Sequence, residues 1–216
     1  MAPRVLAALM HLDLPRRAFA GYIFDLDGTL IDSMPIHYRA WDAALREAGL
    51  VGALDEDRFY ALGGVPTRRV AELLAAHYGL VIDPEAMMHR KESLYLEGLA
   101  DVTVIEPVAA IARAAAARGT PVAIATGGTP EVAFPSLAAA GLRDLFRVVV
   151  TPLDVPAGRG KPAPDMFLLA AERVGVPPAD CVVFEDADPG IAAARAAGMT
   201  VVRVPSREAI KAVGVR

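Results

Sequence analysis

Two aspartates stand two residues apart, Asp25 and Asp27, where an apolar segment gives out in the stretch FDLDGTLID. Carboxylates are rarely placed at the end of a buried strand unless a cation or a reaction holds them there. Three further groups complement them: Thr126-Gly127-Gly128 after PVAIA, Lys161 within AGRGKPAPD, and Glu185-Asp186 closing CVVFED. Crowded acids repel one another, a cost that a divalent cation offsets, and an all-oxygen ligand set favours magnesium. On a phosphate ester, one aspartate of the pair could attack phosphorus while the other protonates the leaving oxygen. Thr126 adds a hydroxyl. Gly127 and Gly128 leave backbone N–H groups bare ahead of a helix, and Lys161 adds a point charge for phosphoryl oxygens. Hydrolysis of phosphate monoesters needs accelerations of up to ~10²¹-fold, so such groups have to act together.

Singly, each residue has an ordinary explanation. Asp27 before Gly28 suits a turn, and Lys161 before Pro162 suits a loop. Asp188 ahead of Pro189 reads as a helix N-cap rather than a ligand, and Asp32-Ser33 as a helix entry or hinge. The placement of the set at strand ends gives it weight. Gly21–Leu26, Val122–Thr126, Val148–Val150, Cys181–Glu185 and Thr200–Val204 are apolar runs with little alternation, as expected of strands covered on both faces. Between most of them lie helical patterns, Val108–Arg118, Pro130–Ala140, Pro164–Val174 and Pro189–Ala197, with proline near the start and glycine just past the end. This alternation predicts a doubly wound parallel α/β sheet whose carboxyl-terminal edge collects the chemistry. On a strand continued through Leu26, Asp25 and Asp27 would face the same side.

Residues 35–102 break the rhythm with no convincing strand. Ile36, Ala40, Trp41, Ala44, Leu45 and Ala48 form one helical stripe, and Val70, Leu73, Leu74 and His77 another. The expectation is a helical bundle, residues 35–103, inserted into a core of residues 1–34 and 104–216, with crossings near Asp32–Pro35 and Asp101–Pro107.

Composition excludes several classes. A 54% hydrophobic chain of 216 residues is not a disordered tail, and a net charge of −4 without a basic stripe argues against a nucleic-acid partner. No apolar run reaches the ~18 residues of a membrane span. The patch Val5–Met10 is short and precedes His11, Asp13, Arg16 and Arg17, so it reads as a surface-lying extension rather than a signal peptide. The single Cys181 suits a reducing, cytoplasmic setting and an inert core thiol. Oligomeric state is left open, with a monomer compatible.

The motifs resemble those of the haloacid dehalogenase superfamily of phosphohydrolases: FDLDGTLIDS the first, IATGG the second, GKPAPD the third, VFEDADPGIAAARAAGM the fourth. The resemblance implies a Rossmann-like core with a small helical cap. It implies Asp25 as nucleophile and Asp27 as acid/base. It also implies magnesium on Asp25, the backbone carbonyl of Asp27, Glu185 and Asp186, with Thr126 and Lys161 on the transferring phosphoryl group. Asp27 sets the chain apart from the halide-removing branch. Within the superfamily the chain is similar to the β-phosphoglucomutase and sugar-phosphate phosphatase group, including phosphatases acting on fructose 1-phosphate. That likeness places His37, twelve residues after Asp25, at a substrate-responsive histidine, LGGVPTRR at a substrate-reading loop with Arg69, and Lys91 at a cap lysine facing the site. Thr29 departs from the valine commoner in mutases, which favours water as acceptor. Gly128 departs from a serine in some relatives.

Set against these roles are plain ones. His37 suits a packed helix start, Arg68 and Arg69 a solvated face, Trp41 cap core, and His77 and His89 exposed or structural positions. The implied activity is hydrolysis of small phosphorylated metabolites, sugar phosphates foremost. Its rivals are a phosphosugar mutase, a receiver module storing an aspartyl-phosphate, and an inactive sugar-phosphate binder.

Overall fold

The computed structural model describes residues 12–206, so the patch Val5–Met10 lies outside the described residues. Five short strands form a parallel sheet: β1 (Gly21–Phe24), β4 (Val122–Ala125), β5 (Val148–Val150), β6 (Cys181–Glu185) and β7 (Thr200–Arg203), in the order β5-β4-β1-β6-β7. On one face Phe24, Ile124 and Phe184 pack against Val108, Ala109 and Ala112 of α5 (Glu106–Ala117) and Ala133 and Leu137 of α6 (Pro130–Ala139). On the other, Ile23, Ala123 and Val183 meet Met166, Phe167 and Ala170 of α7 (Asp165–Val174) and Ala193 and Ala194 of α8 (Asp188–Ala196). This is the doubly wound arrangement expected of strands apolar on both faces.

Strand pairing places the first acid pair. Phe24 lies opposite Phe184, their rings stacked at 4.9 Å, and the ladder runs on with the Asp25 N–H donating to the Phe184 carbonyl at 3.0 Å. Side chains alternate between faces, so Asp25 follows Ile23 and Glu185 follows Val183. Two carboxylates on neighbouring strands therefore emerge together, towards α7 and α8.

The expected strand through Leu26 stops at Phe24. The Leu26 carbonyl accepts from the N–H groups of Thr29, Leu30 and Ile31, and Gly28, at φ 85°, donates to the Ile31 carbonyl. These bonds wind residues 26–31 into a compact turn that left-handed Gly28 permits. Asp27 belongs to this turn, so the inference that it shares a strand face with Asp25 is corrected.

The insert comprises α1 (Met34–Glu47), α2 (Glu56–Tyr60), α3 (Thr67–Tyr78) and α4 (Pro84–Glu97). Trp41, Ala44, Leu45, Leu54, Phe59, Val70, Leu74 and Met87 share its own core, so Trp41 is packing. The α3 stripe differs from expectation: Ala71 and Ala75 are buried with Val70 and Leu74, while Leu73 is only half-buried and His77 exposed. Where the chain enters and leaves the insert, β2 (Ile31–Asp32) pairs antiparallel with β3 (Thr103–Val104). Two-residue strands carry no periodicity, so this ribbon leaves no pattern in the sequence. No helix among the described residues is long and apolar enough to cross a membrane. Cys181 is buried, and burial pushes its thiol up to about 11.

Candidate active site

At the carboxyl-terminal edge of the sheet the Lys161 ammonium donates to Asp25 Oδ1 at 2.5 Å and to Glu185 Oε1 at 3.0 Å. All three side chains are at least nine-tenths buried. Glu185 Oε2 accepts from the N–H groups of Asp186, at 2.7 Å, and Ala187, at 3.2 Å. It thus serves the start of α8, where the N-cap, Ala187, has no side chain to do so. Asp188, expected as that N-cap, is instead the first helical residue and pairs with Arg203. Asp186 Oδ1 accepts from the buried hydroxyl of Thr29 at 2.9 Å.

Ligand oxygens of Asp25, Glu185 and Asp186 lie within 4.8 Å of one another. Three carboxylates against one ammonium leave two negative charges in excess. Burial, and then the neighbouring acids, hold the Asp25 carboxyl well above the usual range against the pull of Lys161. Burial and Glu185 push Asp186 up to about 7, while burial opposes but does not prevent the acids from raising Lys161 above its ordinary value. The oxygen-only donor set and the charge excess fit one hard divalent cation.

Asp27 is separated from this group in its bonds. Its Oδ1 accepts from Ser33 Oγ at 2.6 Å and lies 3.3 Å from His37 Nε2. Lys91 Nζ approaches His37 Nδ1 at 2.8 Å. An ammonium only donates, so Nδ1 accepts and the ring proton sits on Nε2, facing Asp27. Burial raises the proton affinity of Asp27, but His37, Ser33 and Lys91 outweigh it and hold the carboxyl below its ordinary range. Burial and the Lys91 charge lower the His37 imidazole below its ordinary value, and burial lowers Lys91 to about 8.

Facing Asp27 is the loop after β4. A Cβ added to Gly128 would meet Thr126 Oγ1 at 3.5 Å and Asp27 Oδ2 at 3.9 Å. The buried Thr126 hydroxyl accepts from the Gly128 N–H at 3.1 Å, and Gly127 is exposed. Thr129, the N-cap of α6, makes no capping bond, and its hydroxyl is buried without a partner. The structure thus brings Asp25, Lys161, Glu185 and Asp186 into one group and Asp27, His37 and Lys91 into another beside Thr126–Gly128. Arg69 joins neither: it is exposed on α3 and pairs with Glu72 at 2.8 Å. Arg68 also faces Glu72, and His89 is exposed.

Sequence inspection missed Ser33 as a partner of Asp27, Thr29 as a support for Asp186, and Gly190. A Cβ on Gly190 would lie 1.4 Å from Glu185 Oε1, so the first turn of α8 closes over that carboxylate only because residue 190 has no side chain. A glycine inside the helical pattern DPGIAAARA is the signal that could have found it. The cap loop also touches the core here: a Cβ on Gly64 would meet the Pro189 ring at 3.1 Å.

Comparison with known proteins gives the family and the fold. Residues 19–198 match the model of the haloacid dehalogenase-like hydrolases. The chain is 42% identical to fructose-1-phosphate phosphatase YqaB of Escherichia coli K12 over 86% of its length and 96% of that protein. It is 30% identical to the β-phosphoglucomutase of Bacillus subtilis, over 84% of this chain and 81% of that one. A crystal structure of CbbY from Rhodobacter sphaeroides in complex with phosphate shares the fold, with a TM-score of 0.76 at 22% identity, covering 85% of this chain and 84% of the other.

Gly190→Ala is expected to displace Glu185, to cost about 1–3 kcal/mol of stability and to cut turnover at least ~100-fold. Thermal unfolding and kinetics of the variant check this, and unchanged values for both would contradict it. Strand ends, acid cluster and family model converge on one assignment: the chain belongs to the haloacid dehalogenase-like hydrolases.

Proposed function

We propose that the protein is a magnesium-dependent phosphatase of small phosphorylated sugars that works through an aspartyl-phosphate on Asp25. The carrying observation is the division of the acids: Asp25 lies with Lys161 and the metal-fitting carboxylates, Asp27 with Ser33 and with His37, which Lys91 of the insert holds from behind. Asp25, the Asp27 backbone carbonyl, Glu185 and Asp186 would hold the magnesium ion, which neutralises the excess charge and polarises phosphoryl oxygens. Lys161, the Thr126 hydroxyl and the Gly127 N–H receive the phosphoryl group at the start of α6; the Gly128 N–H, expected bare, instead donates to Thr126 Oγ1 and would have to leave it to join them.

Asp27 first takes a proton from solvent as the bound substrate raises its proton affinity; an Asp25 oxygen then bonds to phosphorus as the ester P–O bond breaks, and the leaving alkoxide takes that proton from Asp27. Asp27, now a carboxylate, takes a proton from water, whose oxygen bonds to phosphorus. The Asp25–phosphorus bond breaks and inorganic phosphate departs. In the resting protein Asp27 is held ionised by His37, Ser33 and Lys91. A sugar hydroxyl that takes up the His37 Nε2–H removes a donor from Asp27 and raises its proton affinity when a proton is needed.

Residues 1–34 and 104–216 form the catalytic core in this reading, and residues 35–103 the cap that excludes water and reads the sugar. Arg69, exposed in the structure, would have to turn inward on substrate binding to contribute. The buried Cys181 suits a cytoplasmic enzyme. Support for the sugar class comes from the phosphatase and mutase relatives. The mutase is the second reading, favoured by His37 held against Asp27, and the product separates them: glucose 6-phosphate from β-glucose 1-phosphate with a hexose bisphosphate, or inorganic phosphate.

A phosphate-release panel of sugar phosphates, with and without magnesium, tests the proposal. Metal-dependent release is expected, abolished by Asp25→Asn with the fold retained. Appreciable turnover by that variant, or none by the parent on any phosphate ester, contradicts it.

A pH dependence follows from Lys91. It titrates near about 8 instead of 10.5, so above about 8 the folded protein has lost a proton that the unfolded chain keeps to 10.5. Stability gains over that window, but His37 loses its donor and its fixed tautomer. Turnover is expected to fall as pH passes about 8, and Lys91→Met to be slow and without this limb. A wild-type profile flat through pH 9 contradicts it.

A further inference from the structure

Tyr95 is completely buried at the seam between insert and core, in a cluster with Ile36 and Ala40 of α1 and Val132 of α6. Phenylalanine would fill the same space, and a buried hydroxyl is costly unless bonded. The hydroxyl has a partner across the seam: Tyr95 Oη lies 2.9 Å from Ser136 Oγ on α6. Ser136 Oγ spends its one proton on the Val132 carbonyl at 2.7 Å, so Tyr95 is the donor to Ser136. Burial first of all raises the phenol far above its ordinary range and keeps that proton in place.

The Tyr95 ring lies flat on the imidazole of His37, with centroids 4.0 Å apart and planes 10° apart. Lys91 is one turn earlier on α4, on the same face, and meets the edge of that imidazole at Nδ1. His37 is therefore held at one edge by Lys91, at the other by Asp27, and across its face by Tyr95. α6, which anchors the Tyr95 hydroxyl, begins directly after the Thr126–Gly128 loop.

We infer that Tyr95 is a positioning residue for the proton-transfer side of the site: anchored through its hydroxyl to Ser136, it fixes the plane of His37 and so the bond from Nε2 to Asp27. The inference rests on the proposed role of Asp27 for its kinetic consequence, but its structural content stands apart from it. Groups two removed from the reacting atoms typically matter by ~10–100-fold through the group they orient. Tyr95→Phe, which keeps ring and volume, lies at the lower end.

The test uses the full-length chain with Tyr95→Phe, Ser136→Ala and the double variant. In 15N NMR the wild-type His37 ring is expected as one tautomer protonated at Nε2. Tyr95→Phe should shift and broaden the Nε2 signal and speed exchange of its proton, as the ring loses its fixed plane, while the spectrum elsewhere stays native. On a sugar phosphate, whose alkoxide needs a proton, kcat should fall roughly tenfold with KM within about twofold. On p-nitrophenyl phosphate, whose leaving group needs little proton help, the loss should be less than about twofold. Ser136→Ala should reproduce these effects and the double variant add nothing. An unmoved His37 signal, or equal losses on both substrates, would overturn the inference. If the wild type hydrolyses no phosphate ester, the proposed function fails while the NMR result still decides the role of Tyr95.

Discussion

The structure depends on an imbalance of charge. Asp25, Glu185 and Asp186 are brought together by the pairing of β1 with β6, and among the described residues only Lys161 stands with them as a cation. Several apparently unrelated features serve this grouping. Gly190 gives Glu185 its space, the turn of α8 supplies it with two N–H donors, and Thr29 fixes one oxygen of Asp186. Removing any of these leaves a buried carboxylate with fewer compensating contacts, a costly state for a charge out of water. Burial and mutual repulsion raise the proton affinities of Asp25 and Asp186 above those of ordinary carboxylates.

The second acid is managed in the opposite way. Asp27 leaves the strand at a tight turn and accepts from Ser33, the N-cap of α1, and from His37 on α1, with Lys91 of α4 bonded to the far side of His37, so its carboxyl is stabilised as the anion. Two carboxylates two residues apart thus sit in environments that push their proton affinities in opposite directions, and a cation beside the first would favour the Asp25 anion. Of the groups at Asp27, Ser33 lies at the entry to the insert and His37, with Lys91 behind it, within the insert, while the residues around Asp25 belong to the core. Any movement between the two bodies therefore acts on Asp27 first, and Tyr95, bonded to Ser136 across the seam, sits where that movement is resisted.

Much of this was legible in the chain. Strands buried on both faces are apolar throughout, and proline and glycine punctuate the helices between them, so sheet and helices were expected to within two residues at each end. The acids at the ends of β1 and β6 followed from the strands. The direction of Asp27 did not, because it depends on where β1 stops, and the bonds of Gly28 and Leu26 end it two residues early. Nor did the ribbon of β2 with β3, too short for periodicity, or the pairing of Tyr95 with Ser136, 41 residues apart and set by how the insert packs on α6. Lys91 was placed by resemblance alone. Its burial against His37 gives a physical reason for a lysine there, whereas Arg69 lies on an exposed face with Glu72.

The central claim is that the acid group at the end of β1 and β6 exists to hold one divalent cation beside Asp25. Calorimetric titration of the metal-free protein with magnesium tests it directly. The account predicts saturable binding of one ion per chain, lost in Asp186→Asn with the far-ultraviolet circular dichroism unchanged. Absence of saturable binding at millimolar magnesium, or binding indifferent to that substitution, would contradict it.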